Sequence, residues 1–552
     1  MPNGAQALMK TLADAGVEVC FSNPGTSEMH FVAALDAEPR MRAVLALFEG
    51  VATGAADGYA RMADKPAAVL LHLGCGLGNG LANLHNARKG KVPVINIVGD
   101  HATYHQPLDA QLQSDIETVA RNVSPEFVRS PEKTEDLCRD AADAIAAAVG
   151  PPGQVATLIL PADVSWGEGG QPAAPPERPK PEAADDATIR EVAAAIRSGK
   201  TAFMLGGRAL REAPLREAAR IAAHSGVKVL SEVFPTRLER GAGRPTIERL
   251  AYLGELATLQ LAEFDHLVLI DAKEPVSFFA YPNKPSELVP DGCTVHTLSR
   301  PDQDSRASLE KLAAELGAGE TEPELQKAGR PDRPRGRLTA EKVCKAVGHL
   351  LPENAILVDE ANTSGLMLPV MTAGAPVHDL LTLTGGAIGQ SLPNAVGAAI
   401  ACPERPVLAL VGDGSAMYTN QALWTMAREN LDITVVVLAN AAYSILNVEL
   451  QRVGARDSGG PKARSQLDLT GPNLDFARMA QGMGVHAVRT NTAEDFCKAM
   501  EYAFGQPGPH VIEAVIPESL NRTKRRILPW LLRSIPKMPR PMARALKAKL
   551  AP

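Results

Sequence analysis

"VGDGSAMYTNQALWTMARENLDITVVVLAN", Val411 to Asn440, joins two apolar runs through one helical stretch, and each run ends on a polar residue. "PVLALV" leads into Gly412-Asp413-Gly414, and "ITVVVLA" leads into Asn440. Unbroken Val/Ile/Leu runs separated by a helix are the mark of strands buried on both faces, hence of a parallel sheet. In open sheets of that kind ligands bind just beyond the carboxyl ends of the strands, which is where Asp413 and Asn440 fall. Glycine on both sides of Asp413 permits a tight turn and close backbone approach. The N–H groups that open the next helix near Thr419 can face an anion. On neighbouring strands, a carboxylate and a carboxamide would stand together as hard oxygen donors suited to Mg²⁺ shared with a phosphate. A plain turn at Asp413 and a helix cap at Asn440 account for the same residues without a metal.

The pattern repeats along the chain. "VEVCFSNPG", "AAVLLHLG" and "VPVINIVGD" read as strands of a first block; "TAFMLGGRA", "VKVLSE" and "HLVLIDA" belong to a second; "NAILVDE" and "HVIEAVIP" join the opening stretch in a third. Two segments without apolar periodicity, Trp166 to Ala187 and Gly317 to Arg337, are rich in Pro, Gly and charge and read as linkers. The expectation is an α/β protein of three doubly wound parallel-sheet domains, over 1–165, 188–316 and 338–518, with a basic amphipathic tail over 519–552.

The chain has 552 residues, 45% apolar and 22% charged, ordinary values for a globular protein. No run has the length of a membrane span, and the N-terminus does not read as a signal peptide. The seven cysteines are scattered without a CxxC pair, which fits a reducing cytoplasm and argues against a disulfide framework or zinc ribbon. Net charge is −6, yet residues 519–552 hold ten Lys or Arg and no Asp or Glu, leaving −16 on the rest. An acidic body argues against nucleic acid as a partner. The tail mixes Trp530, Leu531, Leu532 and Ile535 with its cations, a composition that suits an anionic membrane surface and equally a solvated tail.

Gly-Asp-Gly after a strand, Asn440 27 residues beyond Asp413, the "ALWT" stretch and the string "EGVATGAADGYAR" from Glu49 together resemble the thiamine diphosphate-dependent superfamily of 2-oxo acid decarboxylases and acetolactate synthases. The similarity is greatest to benzoylformate decarboxylase-like members and spans residues 1 to 518. It implies pyrimidine-binding, middle and diphosphate-binding domains in that order. It implies Mg²⁺ held by the Asp413 and Asn440 side chains and the Ala442 carbonyl, with Gly412, Gly414, Ser415 and Tyr443 around the cofactor. Asn362 and Thr363 in "DEANTSG" would contact the diphosphate. In "LTLTGGAIGQSLPNAVG" the Gly386 carbonyl would accept from the aminopyrimidine and Ile388 would wedge between the two rings, although a buried Ile is also an ordinary core residue.

Glu49 matches the glutamate that activates the cofactor through its pyrimidine ring; a carboxylate at a helix N-terminus is also favoured by the helix dipole alone. Thr26 in "FSNPGTSEMHF" stands where the decarboxylase has an active-site Ser, and His72 in "LLHLGCGLGN" where it has a catalytic His. Ala280 in "EPVSFFAYPNKPS" replaces a second His, a departure that argues against simple transfer of the substrate. Leu112, Gln113, Ala280, Ile445 and Leu446 are the expected substrate contacts. The glutamate and diphosphate halves come from different subunits in this family, so a homodimer or homotetramer is implied.

The reading that follows is decarboxylation of a small-molecule 2-oxo acid through an enamine, releasing an aldehyde, a lyase reaction. Its alternatives are an acetolactate synthase-like carboligase (a transferase), a flavin-dependent oxidase with FAD on the "MLGGRAL" turn, and a non-catalytic scaffold held at a membrane surface by the tail.

Overall fold

A computed structural model describes residues 2–518 except 178, 454 and 456–458. The tail over 519–552, with its membrane reading, lies outside the described residues. The strands are β1 (Val19–Asn23), β2 (Arg42–Leu45), β3 (Ala67–Leu71), β4 (Val94–Asp100), β5 (Val128–Arg129) and β6 (Val155–Pro161), then β7 (Thr201–Leu205), β8 (Lys228–Ser231), β9 (Leu238–Arg240), β10 (Glu248–Arg249), β11 (His266–Ile270) and β12 (Thr294–Ser299). The last six are β13 (Ile356–Glu360), β14 (His378–Thr382), β15 (Val407–Gly412), β16 (Ile433–Ala439), β17 (His486–Thr490) and β18 (His510–Val515). They form three sheets, ordered β2-β1-β3-β4-β6-β5, β10-β8-β7-β11-β12 and β17-β18-β16-β15-β13-β14-β9.

Each sheet is covered on both faces, as the apolar runs require. Along β3, Val69 and Leu71 face one buried cluster while Ala68 and Leu70 face another. Along β15 and β16, Ala409, Val411, Val435 and Val437 pack on one side and Leu408, Leu410, Val436 and Leu438 on the other. The chain is therefore a three-sheet doubly wound α/β protein.

The strand order reverses between β1 and β3 in the first sheet, between β7 and β11 in the second, and between β13 and β15 in the third. At such switch points the loops part in opposite directions and leave a crevice at the carboxyl edge. The three crevices are thus marked by Asn23 and His72, by Gly206 and Asp271, and by Asn362 and Asp413.

The first and third sheets share one core. Between them the helix Glu49–Ala63 crosses the helix Ser391–Ala401 at backbone contact. A Cβ on Gly397 would lie 1.9 Å from the Ala55 carbonyl oxygen, and one on Gly58 would lie 2.1 Å from that of Asn394. Only glycine permits this approach.

One element departs from the all-parallel expectation. β9, from the second block, pairs antiparallel with β14 of the third sheet through Leu238↔Leu380, Glu239↔Asp379 and Arg240↔His378. Without it β14 would present an open edge, which proteins cover where they can.

His378 in that ladder is buried, with Nδ1 donating to the Pro376 carbonyl at 2.7 Å. Burial, reinforced by the nearby Arg240 charge, pushes its imidazole down from 6.5 to about 4. The unfolded chain therefore takes up a proton between pH 6.5 and 4 that the folded chain refuses. Stability is expected to fall by about 3 kcal/mol as pH drops through that window and to level off below it. Urea titrations at stepped pH should show this slope, and His378→Gln should flatten it.

Candidate active site

The third-sheet crevice is built by β13, β15 and β16. Asp413 caps β15 and opens a helix, and its carboxylate accepts from the backbone N–H of Gly414 at 2.9 Å and of Ala441 at 2.6 Å. That second bond brings the turn after β16 against the turn after β15, so Asp413 and Asn440 do lie together. Asn440 Oδ1 accepts from the Ala442 N–H at 3.0 Å. Asn362 Nδ2 donates to Ser415 Oγ at 3.2 Å across the same crevice. The Tyr443 ring lies against the glycine turn: a Cβ on Gly414 would meet it at 2.2 Å. Thr363 is half-buried beside Asn362, in the same short turn.

The donors fit a hard divalent cation. Among the described residues no three His, Cys, Asp or Glu converge as a metal cluster. The expected set has instead one carboxylate, one carboxamide oxygen and one backbone carbonyl, which suits Mg²⁺ completing its shell with water and phosphate. Asp413 is buried, and burial pushes its carboxyl above the usual carboxylate range, an effect its backbone N–H partners offset only in part. A cation in this crevice would relieve that cost.

The loop after β14 forms the crevice wall. Glu360, at the end of β13, is buried and accepts from the N–H groups of Gly389 at 2.6 Å and Ser391 at 2.7 Å. Asn86 of the first block grips Ala387 from the other side, accepting from its N–H at 3.2 Å and donating to its carbonyl at 2.8 Å. Gly386 takes φ +76°, and the ring of Phe278 packs onto it, 2.6 Å from where a Cβ would stand. Ile388 is half-buried and belongs to none of the buried clusters.

The first-sheet crevice holds His72. Its Nδ1 lies 2.8 Å from Glu28 Oε2, and Glu28, 0% exposed, also accepts from Gly25 N–H at 2.7 Å and Ser27 Oγ at 2.7 Å. Gly25 lies against the imidazole face, with room for no side chain. The hydroxyl nearest His72 is that of Ser27, at 3.4 Å, whereas Thr26 is exposed. Successive residues of the 3₁₀ turn Thr26–Glu28 point about 120° apart, so only one of the pair can face the ring. Glu49 is buried at the head of its helix and accepts from Asn79 Nδ2 at 3.0 Å. Gln113 is half-buried, on a segment whose Ser114 packs against Gly74 just past His72. Leu112, Ala280 and Leu446 are exposed and Ile445 is half-buried.

Three non-glycine residues with positive φ mark these edges: Leu73 at +53°, Asn362 at +50° and Ala441 at +57°. Each costs on the order of 1–3 kcal/mol and persists only where the surroundings impose it. The first follows His72, the second donates to Ser415 across the crevice, and the third separates Asn440 from Ala442.

The second-sheet crevice, at the "MLGGRAL" turn, is already filled. Asp271 accepts from Arg208 N–H at 2.7 Å and pairs with Lys91 at 3.1 Å, while Glu232 accepts from Gly207 N–H at 3.2 Å. Burial pushes Glu232 up to about 7. The turn amides that would cradle a flavin phosphate are taken by side-chain carboxylates, so the geometry does not favour the flavin reading.

Sequence reasoning missed Glu28, Ser27, Glu360 and Phe278, although all lie in stretches it singled out. The signal for the acids was a carboxylate embedded in an apolar or small-residue context, which needs a buried partner.

Residues 2–120 match the family "Thiamine pyrophosphate enzyme, N-terminal TPP binding domain", and residues 368–514 match its C-terminal TPP binding domain. A Mycobacterium tuberculosis protein named "Putative acetolactate synthase large subunit IlvX" is 58% identical over 516 residues, covering 93% of this chain and 99% of that one. Benzoylformate decarboxylase of Pseudomonas aeruginosa is 27% identical over 557 residues, covering 92% and 98%. In fold, the chain superimposes on the thiamine diphosphate-dependent 4-hydroxybenzoylformate decarboxylase of Rhodococcus jostii RHA1 with TM-score 0.80, at 23% identity and over 94% and 99% of the two chains. The chain belongs to the thiamine pyrophosphate enzyme family. It is an enzyme of the group that includes acetolactate synthases and 2-oxo acid decarboxylases.

The charge on Asp413 is central to the cation fit. Asp413→Asn is expected to weaken Mg²⁺ binding by at least the ~10–100-fold that loss of a ligand's outer partner costs. Calorimetric titration of Mg²⁺ in the presence of thiamine diphosphate would read it.

Proposed function

We propose that the protein is a thiamine diphosphate- and Mg²⁺-dependent decarboxylase of a 2-oxo acid, releasing an aldehyde. The observation that carries this reading is the convergence of Asp413 and Asn440 at the β13/β15 switch point, joined by the Asp413–Ala441 hydrogen bond. Asp413, Asn440 and the Ala442 carbonyl would hold Mg²⁺; Asn362, Ser415 and the turn amides would hold the diphosphate; the 383–390 loop, with Gly386 and Ile388, would take the rings. Bound there, the cofactor supplies the electron sink into which the bond to the departing carboxylate breaks.

The remaining work falls to the chain. Glu49, kept from solvent and oriented by Asn79, is the acid–base partner for the cofactor's pyrimidine. His72 is fixed through Nδ1 by Glu28, which leaves Nε2 to carry a proton to or from the substrate. Exposed Leu47, Met417, Tyr418 and Leu446 flank site residues of both sheets. A second copy covering them would complete the site, which supports a homodimer or a larger homo-oligomer. Among the described residues no helix is long and apolar enough to cross a membrane.

A carboligase is the second reading, favoured by the name of the 58%-identical relative. The two differ in what leaves the enzyme. A panel of 2-oxo acids with thiamine diphosphate and Mg²⁺ is expected to yield CO₂ and aldehyde in equal amounts; CO₂ with a 2-hydroxyketone instead would select the carboligase. Glu49→Gln is expected to lower kcat by roughly 10²–10⁴-fold with cofactor affinity retained, measured by steady-state kinetics beside cofactor titration. Unchanged turnover in that variant would remove the assignment.

A further inference from the structure

The strands β9 and β10 are short, yet each carries one arginine to the same place. Alternation along β9 puts Leu238 and Arg240 on one face, and along the segment entering β10 it puts Ile247 and Arg249 on one face. Leu238 and Ile247 both pack on the apolar cluster shared by the second and third blocks, so the two arginines follow them to that side. There they line a cavity of about 1170 Å³ between the blocks. Val229, Leu238 and Ile247 belong to its wall on the second block, and Leu366, Pro369 and Val370 to its wall on the third. Leu366 and Val370, 48% and 44% exposed, leave that apolar wall uncovered.

The cavity holds an excess of positive charge. Lys228 pairs with Glu248 at 2.8 Å and Lys200 with Glu263 at 3.5 Å, so those charges cancel. Glu324 is exposed and met by water. What remains is Arg240 and Arg249 with the carboxylate of Asp359 near them. Arg240 donates to the Pro369 carbonyl. The half-buried Arg249 guanidinium has no hydrogen bond and no ion pair among the described residues. Asp359 accepts from the Ala361 N–H at 3.0 Å rather than from either arginine. Burial lowers both guanidiniums from their ordinary value, Arg240 to about 10, where the charge on Arg249 adds to the effect. A desolvated charge without a partner is costly, and proteins seldom keep one without a use. Two cations beside one carboxylate leave a single positive charge for a ligand to balance.

We propose that this cavity is a binding site for an organic monoanion with an aliphatic tail, its head held by Arg249 and Arg240 and its tail lying along Val229, Leu238, Leu366 and Val370. A planar carboxylate suits the fork of a guanidinium, which donates to both of its oxygens. The volume exceeds what a head group alone would fill, and the apolar walls take an alkyl chain out of water. The site shares no residue with the candidate active site, and its occupancy does not depend on the reaction proposed above.

The test uses the full-length protein loaded with thiamine diphosphate and Mg²⁺, titrated calorimetrically with octanoate. Octanoate is expected to saturate a single site on each chain and to raise the thermal midpoint. Acetate, which has the head alone, and octylammonium, which reverses the charge, should each bind roughly tenfold more weakly or worse. Arg249→Gln should weaken octanoate by roughly tenfold or more, the cost of losing a charge-assisted pair, and Arg249→Lys should keep part of the affinity. Without ligand, Arg249→Gln should unfold no earlier than the wild type, since the guanidinium it removes has no partner to lose; an arginine kept for structure would lower the midpoint instead. Val370→Trp fills the cavity while leaving both arginines in place, and it too should weaken octanoate. The proposal is overturned if octanoate fails to bind, if it binds no better than acetate or octylammonium, if Arg249→Gln and Val370→Trp bind it like the wild type, or if Arg249→Gln alone destabilises the protein.

Discussion

Arg61 is buried with no part of its side chain exposed, and its guanidinium is fully spoken for. It forms a two-point pair with Asp57 at 2.7 and 2.8 Å and donates to Thr382 O and Thr384 Oγ1 at 2.9 Å each. Asp57 in turn accepts from Gln390 at 2.5 Å and Asn394 at 3.2 Å. Burying such a pair is costly, and only good geometry with every donor used offsets the loss of water. Here the geometry is met by joining the first block to both ends of the 383–390 loop. That network and the glycine-on-backbone helix crossing beside it set one sheet against the other. The position of Gly386 and Ile388 relative to the first sheet depends on it.

Around that fixed joint the chain concentrates groups that a merely stable protein would avoid. Glu28, Glu49, Glu360 and Asp413 are all buried, and their oxygens are matched chiefly to N–H and hydroxyl dipoles, with the His72 imidazole on Glu28 the one titratable partner. Three strained backbone residues lie among them. Buried acids and strained turns cost stability, and their gathering at two sheet edges is the signature of a preorganised site. The large shared core of the first and third sheets is what tolerates the expense.

Much of this was legible in the sequence because strands buried on both faces have an unmistakable composition. The runs "PVLALV" and "ITVVVLA" located β15 and β16, and the rule that ligands sit past strand ends then located Asp413 and Asn440. Short elements carried no such signal. β9 has three residues and β10 two, too few for any pattern, and their place is decided by what they cover. Glu28 meets His72 across 44 positions of sequence, and Phe278 meets Gly386 across more than a hundred. Pairings of that kind arise from the chain's return path and leave no periodicity behind. The Ser27 hydroxyl lies near His72 while Thr26 is exposed, a difference set by the phase of a single 3₁₀ turn that adjacent hydroxyl residues cannot disclose.

The three-residue strand Leu238–Arg240 has a bearing on how this chain could be recombined. The linkers mark obvious seams, yet the third sheet is completed by a strand that lies upstream of the seam before it. A chimera taking its third block from a relative and its second block from this chain would inherit a foreign edge-covering strand. The mismatch would expose β14, an apolar edge ready to pair with another molecule. In this molecule the modules that can be exchanged are therefore not the ones the linkers delimit.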